Sequence, residues 1–189
     1  ESDSFEDNSS SFESMISLYG IQTATTDSKV GDVPSVTAEE MASVLEALRQ
    51  NGNTVRNCES ETSDGYYGTG SDRKEVKMTA EYQARTRSGA FVEQFALCVS
   101  LNFNIDKDAV YYIGTTYSSS TDLFNWQGYG ASLSTTAEGS SVFSSTSYLY
   151  FRVSDQNNCL VKVPVNFKGN YNFKNNQGTY SFTLSKAAN

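Results

Sequence analysis

Histidine is absent from the 189 residues of this chain. Its absence excludes Ser-His-Asp and Cys-His nucleophile systems, histidine-ligated zinc and the commonest general base. Cysteine is scarce: Cys58, Cys98 and Cys159 form no CxxC pair, so a thiolate metal site is not expected. Three cysteines allow at most one internal disulfide, and the sequence does not say which of them would form it. We predict no catalytic motif, no metal and no cofactor.

Basic residues are outnumbered, with 14 Lys and Arg against 22 Asp and Glu and a formal net charge of −8. The acidic residues are concentrated in the N-terminal part of the chain, because residues 1–72 contain 14 of the acids and only 3 of the bases. Nucleic-acid binding draws most of its affinity from Lys and Arg contacts to phosphate, and no run of basic residues is present. The sequence therefore predicts no nucleic-acid partner.

Proline is limited to Pro34 and Pro164, whereas 12 Tyr and 11 Phe favour β-structure. The stretch FVEQFALCVSLNFNI, residues 91–105, alternates between an apolar face and a small or polar face. This period of two predicts one long strand with one side against a core, and its length predicts a bend or bulge. Strands are also predicted in KEVKMTAEYQARTR, AVYYIGTTY, SYLYFRV, CLVKVPVNF and TYSFTL.

One helix is predicted over residues 37–51. Thr37 as N-cap and Glu40 three residues later form a capping box. A buried stripe with helical spacing follows, and Gly52 is expected to end the helix in a left-handed conformation. The stripe consists of Met41, Val44, Leu45 and Leu48.

The predicted fold class is α+β, with one amphipathic N-terminal helix packed on a mostly antiparallel β-sheet or sandwich. Residues 1–14 are predicted to be a flexible acidic leader, since they contain five acids, six serines and no base. Residues 15–189 are predicted to form a single α+β domain, in which residues 59–72 and 118–141 are loops.

Aromatic rings stand beside Gly and Asn in three of the predicted loops. A sugar ring presents C–H bonds to a flat aromatic face and hydroxyl groups to amide side chains, so this combination predicts a carbohydrate site. An alternative is that the rings cap the ends of the core. The predicted ligand-binding residues are Tyr66, Tyr67, Asn125, Trp126, Gln127 and Tyr129, and a third loop carries Tyr171 and Phe173.

Two other classes of function stay open. Exposed sheet edges and aromatic loops would suit a structural, adhesion or assembly protein that contacts another protein. A carboxylate-dependent glycoside hydrolase would need two acids close together beside aromatic rings. The eligible acids are Glu59, Glu61, Glu81, Glu93 and Asp122. We expect Glu93, the one acid on the apolar face of the long strand, to pair with Arg85 or Arg87 instead.

The acidic, Ser-rich leader ESDSFEDNSSS ahead of an aromatic- and Asn-rich β domain resembles the mature part of uncharacterised cell-surface lipoproteins from Bacteroides-type gut bacteria. The resemblance extends over the whole chain and implies a secreted protein at the outer membrane surface or in the periplasm. It implies attachment to the membrane only through an N-terminal lipid, and a polysaccharide or a surface protein as partner. The function expected is that of a non-enzymatic binding module with carbohydrate as the leading ligand.

Overall fold

The computed structural model describes residues 12–24, 32–64, 72–107, 109–128, 131–135 and 139–185, which form two helices and twelve strands. The helices are α1 (residues 12–19) and α2 (Ala38–Asn51). The strands are β1 (Gln22–Thr23), β2 (Ser35–Val36), β3 (Arg56–Asn57), β4 (Glu59–Asp64), β5 (Asp72–Arg85), β6 (Phe91–Asp106), β7 (Ala109–Ser119), β8 (Asn125–Gly128), β9 (Ser132–Thr135), β10 (Ser140–Val153), β11 (Cys159–Asn172) and β12 (Gln177–Leu184).

The long strand predicted from its alternation is confirmed as β6. Its inner face is buried, and it pairs antiparallel with β5 on one side and β7 on the other. The expected irregularity is present, because the register with β7 shifts between Asn102 and Phe103. Strand β4 completes this four-stranded sheet, sheet B, in the order β4-β5-β6-β7. The buried row of β6 is Phe95, Leu97, Val99, Leu101 and Phe103.

The second sheet, sheet A, is built around β10 and β11. These two strands pair antiparallel along all 14 residues, from Ser140 opposite Asn172 to Val153 opposite Cys159. The other side of β10 pairs in turn with β9, β8 and β2, and β2 is parallel to it. The other side of β11 pairs with β12 and β1, and β12 pairs with β3. The predicted antiparallel β architecture is therefore confirmed.

The inner faces of the two sheets share one hydrophobic core. Ring contacts cross from β6 to β10 through Phe124, whose centroid lies 5.6 Å from those of both Phe95 and Phe151. The backbone N–H of Thr79 in β5 donates to the Tyr180 hydroxyl of β12 at 2.8 Å, which ties the sheets together. Because each sheet buries one face against the other, the arrangement is a β-sandwich.

Helix α2 begins with the predicted capping box. The Glu40 backbone N–H donates to the Thr37 hydroxyl, and the Thr37 N–H donates to the Glu40 carboxylate, each at 3.1 Å. The predicted stripe from Met41 to Leu48 is buried. The left-handed stop at Gly52 is wrong, since its φ of −63° and ψ of −30° are right-handed. The space around Gly52 is small: an added Cβ would lie 3.1 Å from the Leu48 carbonyl oxygen and 3.4 Å from that of Phe182, so a larger residue would have to displace its neighbours slightly.

Other segments predicted as leader or loop contain regular structure. Residues 12–14 are helical rather than part of a leader, and α1 places Tyr19 where its hydroxyl donates to Glu46 of α2 at 2.8 Å. Residues 1–11 lie outside the described part of the chain. The predicted loop 59–72 contains β4, and the predicted loop 118–141 contains β8 and β9. These strands are short or polar, so their sequences carry little of the alternation that identifies a strand.

Candidate ligand-binding face

Trp126, the predicted centre of the carbohydrate site, lies in the core. It is 8% exposed, and its indole N–H donates to the Ser147 hydroxyl at 2.8 Å. The rings of Tyr117 and Phe182 pack edge-on against it, with centroids 5.1 and 6.0 Å away. A ring packed in this way offers almost no face to a sugar. The ligand-binding role predicted for Trp126 therefore does not fit its position, because its neighbours already cover the indole.

The other rings singled out from the sequence divide into two groups. Tyr171 is fully buried in β11, where its ring lies 4.9 Å from that of Phe173, so these two residues fit the alternative of rings that close the core. Tyr66, Tyr67 and Tyr129 lie outside the described residues, and their role in binding stays a prediction.

Asn125 and Gln127 flank Trp126 in β8 and therefore point away from the core, since side chains alternate along a strand. The register with β10 places Asn125 opposite Tyr150 and Gln127 opposite Tyr148. All four side chains are half-buried, on the side of sheet A that faces away from sheet B, which we call the outer face. We call these four residues the tyrosine patch.

The tyrosine patch has a defined geometry. The ring centroids of Tyr148 and Tyr150 are 6.5 Å apart with an interplanar angle of 52°. The ammonium group of Lys162 in β11 lies 4.8 Å from the centroid of Tyr148, within cation–π range. The Asn125 amide donates to the backbone carbonyl of Asp32 at 2.7 Å, which holds it in place. Two aromatic rings thus lie side by side among amide groups on a sheet surface.

A shallow groove of about 520 Å³ continues the outer face along β10. It lies between the part of β10 that pairs with β8 and the part that pairs with β9. Its lining is mostly hydroxyl and amide, with one cation: Ser132, Ser144, Ser145, Thr146, Asn166, Phe167 and Lys168. Such a surface provides many hydrogen-bonding groups without enclosing a small molecule.

Tyr148 and Tyr150 were not predicted as site residues, because they lie within a strand and not in a Gly- or Asn-rich loop. The alternation in SYLYFRV contained the signal, since Leu149 and Phe151 are fully buried and Tyr148 and Tyr150, which alternate with them, must face outward. Two tyrosines at positions i and i+2 of one strand lie side by side on the same face of the sheet. The composition of the loops does not reveal such a pair.

Four of the five candidate acids for a hydrolase lie on sheet B, and the fifth, Asp122, is exposed between β7 and β8. Glu59 and Glu61 are exposed on β4, and Glu81 is exposed on β5. Glu81 lines a second shallow depression of about 310 Å³, with Gln94 and Ser120 and with no other acid. Glu93 accepts a hydrogen bond from the Thr121 hydroxyl. Its predicted pairing with Arg85 or Arg87 is wrong, because neither pair is among the ion pairs of the described residues.

Metal-binding chemistry finds little support in the part of the chain that the structure describes, where no group of three His, Cys, Asp or Glu could hold a metal ion. All three cysteines are free thiols and half-buried. Burial raises the pKa of Cys58 to about 12 and also raises the pKa of Cys159. The Cys58 thiol is therefore protonated at neutral pH and is a poor nucleophile or ligand.

The two edges of sheet B differ in charge. Edge strand β4 carries three acids, whereas the sequence of edge strand β7, AVYYIGTTYSS, has no charged residue. The second half of β7 is covered by β8, through the packing of Tyr117 against Trp126. In the first half, Tyr111 is 57% exposed and Ile113 is 48% exposed. Uncharged, exposed edge strands are the surfaces to which further strands add. We call residues 109–114 the β7 edge.

Comparison with known proteins identifies the family alone. No curated protein and no solved structure matches the chain. No helix among the described residues is long and apolar enough to cross a membrane. One family model, described as a domain of unknown function (DUF5033), matches residues 3–184. Since this match extends over nearly the whole chain, the protein belongs to the DUF5033 family.

Proposed function

We propose that this protein is a non-enzymatic carbohydrate-binding module whose ligand lies on the outer face of sheet A. The observation that supports the proposal is the tyrosine patch, in which two half-buried rings lie side by side on β10, next to two amide side chains of β8. The C–H face of a sugar stacks on Tyr148 or Tyr150, and the sugar hydroxyls exchange hydrogen bonds with Asn125 and Gln127.

The shape of the surface favours a polymer over a small sugar. Small ligands are usually held in concave pockets that bury most of their surface. The outer face is open and extends from the tyrosine patch into the groove beside Ser144 and Thr146. A polysaccharide chain gains affinity from many weak contacts along such a surface, whereas a single sugar unit makes only a few of them.

We further propose that the protein is exported and lies at the outer membrane surface or in the periplasm, anchored by an N-terminal lipid. The support for this location is the resemblance of the acidic, Ser-rich leader to those of cell-surface lipoproteins. Mass spectrometry of the mature protein from its host is the test. A lipid-modified N-terminus is expected, and an unmodified one would contradict the anchor.

Binding to polysaccharides tests the main proposal. The wild-type protein, the double variant Tyr148→Ala, Tyr150→Ala and the control double variant Tyr111→Ala, Tyr112→Ala are compared on a glycan array and by calorimetry. Each double variant removes two neighbouring tyrosine rings, one pair from sheet A and one from sheet B. Circular dichroism establishes that all three are folded.

The expected result is that the wild-type protein and the sheet B variant bind the same polysaccharides and the sheet A variant binds none. Losing two stacking contacts should weaken binding by at least tenfold, since an aromatic ring contact contributes about 1 kcal/mol. A folded sheet A variant with unchanged affinity would exclude the tyrosine patch as the site. Absence of binding by the wild-type protein across a broad array would overturn the proposed function.

A second candidate function is contact with another protein through the β7 edge, and the uncharged exposed sequence around Tyr111 and Ile113 favours it. A second copy is the simplest partner, because an antiparallel edge can pair with itself about a two-fold axis. Sedimentation equilibrium should then show a dimer for the wild-type protein and a monomer for Ile113→Lys, since an edge lysine opposes strand addition. A monomeric wild-type protein at high concentration would exclude this self-pairing.

A further inference from the structure

The acids of this protein are distributed unevenly between its two sheets. None of the eight strands of sheet A contains Asp or Glu, although the chain has a net charge of −8. The strands of sheet B contain eight acids: Glu59, Glu61, Asp64, Asp72, Glu75, Glu81, Glu93 and Asp106. The strands of sheet A therefore repel an anion at short range less than the strands of sheet B do.

Two lysines stand on the outer face of these acid-free strands. Lys162 is opposite Tyr150 in the register of β10 and β11, and Lys168 is opposite Ser144. Lys162 is half-buried and Lys168 is exposed. Neither of them is in an ion pair with a described residue, whereas Lys77 of sheet B is paired with both Glu61 and Glu75. Neither charge is therefore neutralised by a carboxylate of a described residue, although Lys162 also contacts the Tyr148 ring.

The spacing of the two lysines indicates the size of the ligand. They are six residues apart on one strand, which corresponds to about 20 Å at ~3.3 Å per residue. Tyr148 is opposite Pro164, which lies between Lys162 and Lys168 on β11. The Tyr148 ring therefore lies between the two lysines. A small anion cannot reach both ammonium groups. A chain that carries several separated negative charges can contact Lys162, the tyrosine rings and Lys168 in turn.

We propose that the ligand of the outer face is an anionic polysaccharide, bearing carboxylate or sulfate groups. This inference depends on the carbohydrate-binding function proposed above and specifies its ligand class. The sugar rings stack on the tyrosine patch, and the anionic groups are bound by Lys162 and Lys168. Single-stranded nucleic acid is also an anionic chain that stacks on aromatic rings. Its closely spaced phosphates require more cations than this face provides and are repelled by the net charge of −8.

The test compares four polymers, namely polygalacturonate, chondroitin sulfate, neutral dextran and oligo(dT), on the full chain. We expect polygalacturonate or chondroitin sulfate to bind at least tenfold more tightly than dextran. This preference should shrink when NaCl is raised from about 0.1 to about 1 M, because the Debye length falls from about 10 to about 3 Å. Oligo(dT) should bind no more tightly than dextran.

Three double variants separate the ligand class from the site. Lys162→Gln, Lys168→Gln should reduce affinity for the anionic polysaccharide by about tenfold and leave dextran binding unchanged. The control double variant Lys77→Gln, Arg85→Gln also removes two positive charges, but from sheet B. It should leave the affinities for the anionic polysaccharide and for dextran unchanged. Tyr148→Ala, Tyr150→Ala should abolish binding of every polysaccharide.

Each opposite result has a distinct meaning. Equal binding of dextran and anionic polysaccharides, or equal losses from the two charge variants, would overturn the anionic ligand while the carbohydrate-binding function stands. Tighter binding of oligo(dT) than of any polysaccharide would overturn both proposals in favour of nucleic acid. A wild-type protein that binds none of the polysaccharides on the array or in this set would also overturn both.

Discussion

The two sheets of the sandwich differ in the side chains that they expose to solvent on their outer faces. Sheet B places acids and bases on its outer face, where Lys77 of β5 pairs with Glu75 on the same strand and with Glu61 on neighbouring β4. Sheet A uses hydroxyl groups, amides and tyrosine rings, with only basic residues for charge. A surface that carries charges of both signs keeps a protein soluble and has little tendency to bind other molecules. The contrast supports the proposal that the ligand binds on sheet A.

The inner faces also differ. Sheet A buries a connected group of rings, in which Phe167 lies 5.4 Å from Phe143 and 5.1 Å from Phe182. The middle of sheet B is aliphatic, with Leu97, Val99 and Leu101 in successive inward positions of β6. Rings fill more volume per residue than aliphatic side chains, so removal of one leaves a larger cavity.

The largest expected effect is the cost of removing a ring from sheet A. Phe167→Ala should lower the free energy of unfolding by about 4 kcal/mol, because Phe167 is 1% exposed and contacts several rings. Leu101→Ala, at a fully buried position of sheet B, should cost about 3 kcal/mol. Urea denaturation of both variants measures the difference. A greater loss from Leu101→Ala would show that the aliphatic side of the core is the more tightly packed.

The next largest effect concerns two glycines, one in each sheet. Gly178 in β12 is so close to β11 that an added Cβ would lie 2.7 Å from the Tyr171 Cα. Gly178→Ala should therefore cost about 3 kcal/mol, since backbone atoms cannot easily give way. Gly114 in β7 has no atom within 4 Å of the same added Cβ. Gly114→Ala should be neutral or stabilise by about 0.5 kcal/mol, because it restricts the unfolded chain.

Thermal and urea denaturation of the two glycine variants test this contrast. A Gly178→Ala variant as stable as Gly114→Ala and the wild-type protein would mean that β11 and β12 accommodate the methyl group without cost, and would contradict the close packing of this strand pair. The comparison is informative because both substitutions add the same methyl group to a strand.

Elements with a strong period were predictable from the sequence. The alternation of residues 91–105 predicted β6, and the capping box at Thr37 and Glu40 predicted the start of α2. Both predictions depend only on the spacing of residues along the chain, which can be read from the sequence. The Gly52 prediction failed because a glycine at a helix end can serve a left-handed turn or a close approach, and only the position of β12 distinguishes the two.

The candidate site was less predictable because it depends on register between distant strands. Asn125 and Gln127 were identified from composition, but their neighbours Tyr148 and Tyr150 come from a strand about 20 residues later in the chain. Trp126 was assigned to the site because it stands between Asn125 and Gln127 in sequence. In a strand the residue between two outward side chains points inward, so the same spacing that exposes the amides buries the indole.

The smallest effect concerns a buried polar atom of sheet B. Tyr82 is 2% exposed, and its hydroxyl has no hydrogen-bond partner among the described residues. Tyr82→Phe should therefore raise the free energy of unfolding by about 1 kcal/mol near neutral pH, because it removes an unpaired buried hydroxyl. Tyr111→Phe, which removes an exposed hydroxyl from the same sheet, should leave it unchanged.

The same variant tests the alkaline stability of sheet B. Burial raises the pKa of Tyr82 to about 12, so between pH ~10 and ~12 the unfolded chain releases this proton and the folded chain keeps it. The folded state binds more protons in this range, and stability accordingly falls as pH rises. Tyr82→Phe removes this contribution, so its advantage over the wild-type protein in urea denaturation should grow from about pH 8 to about pH 11. An advantage that stays constant with pH would mean that the Tyr82 hydroxyl ionises as easily in the folded protein as in the unfolded chain.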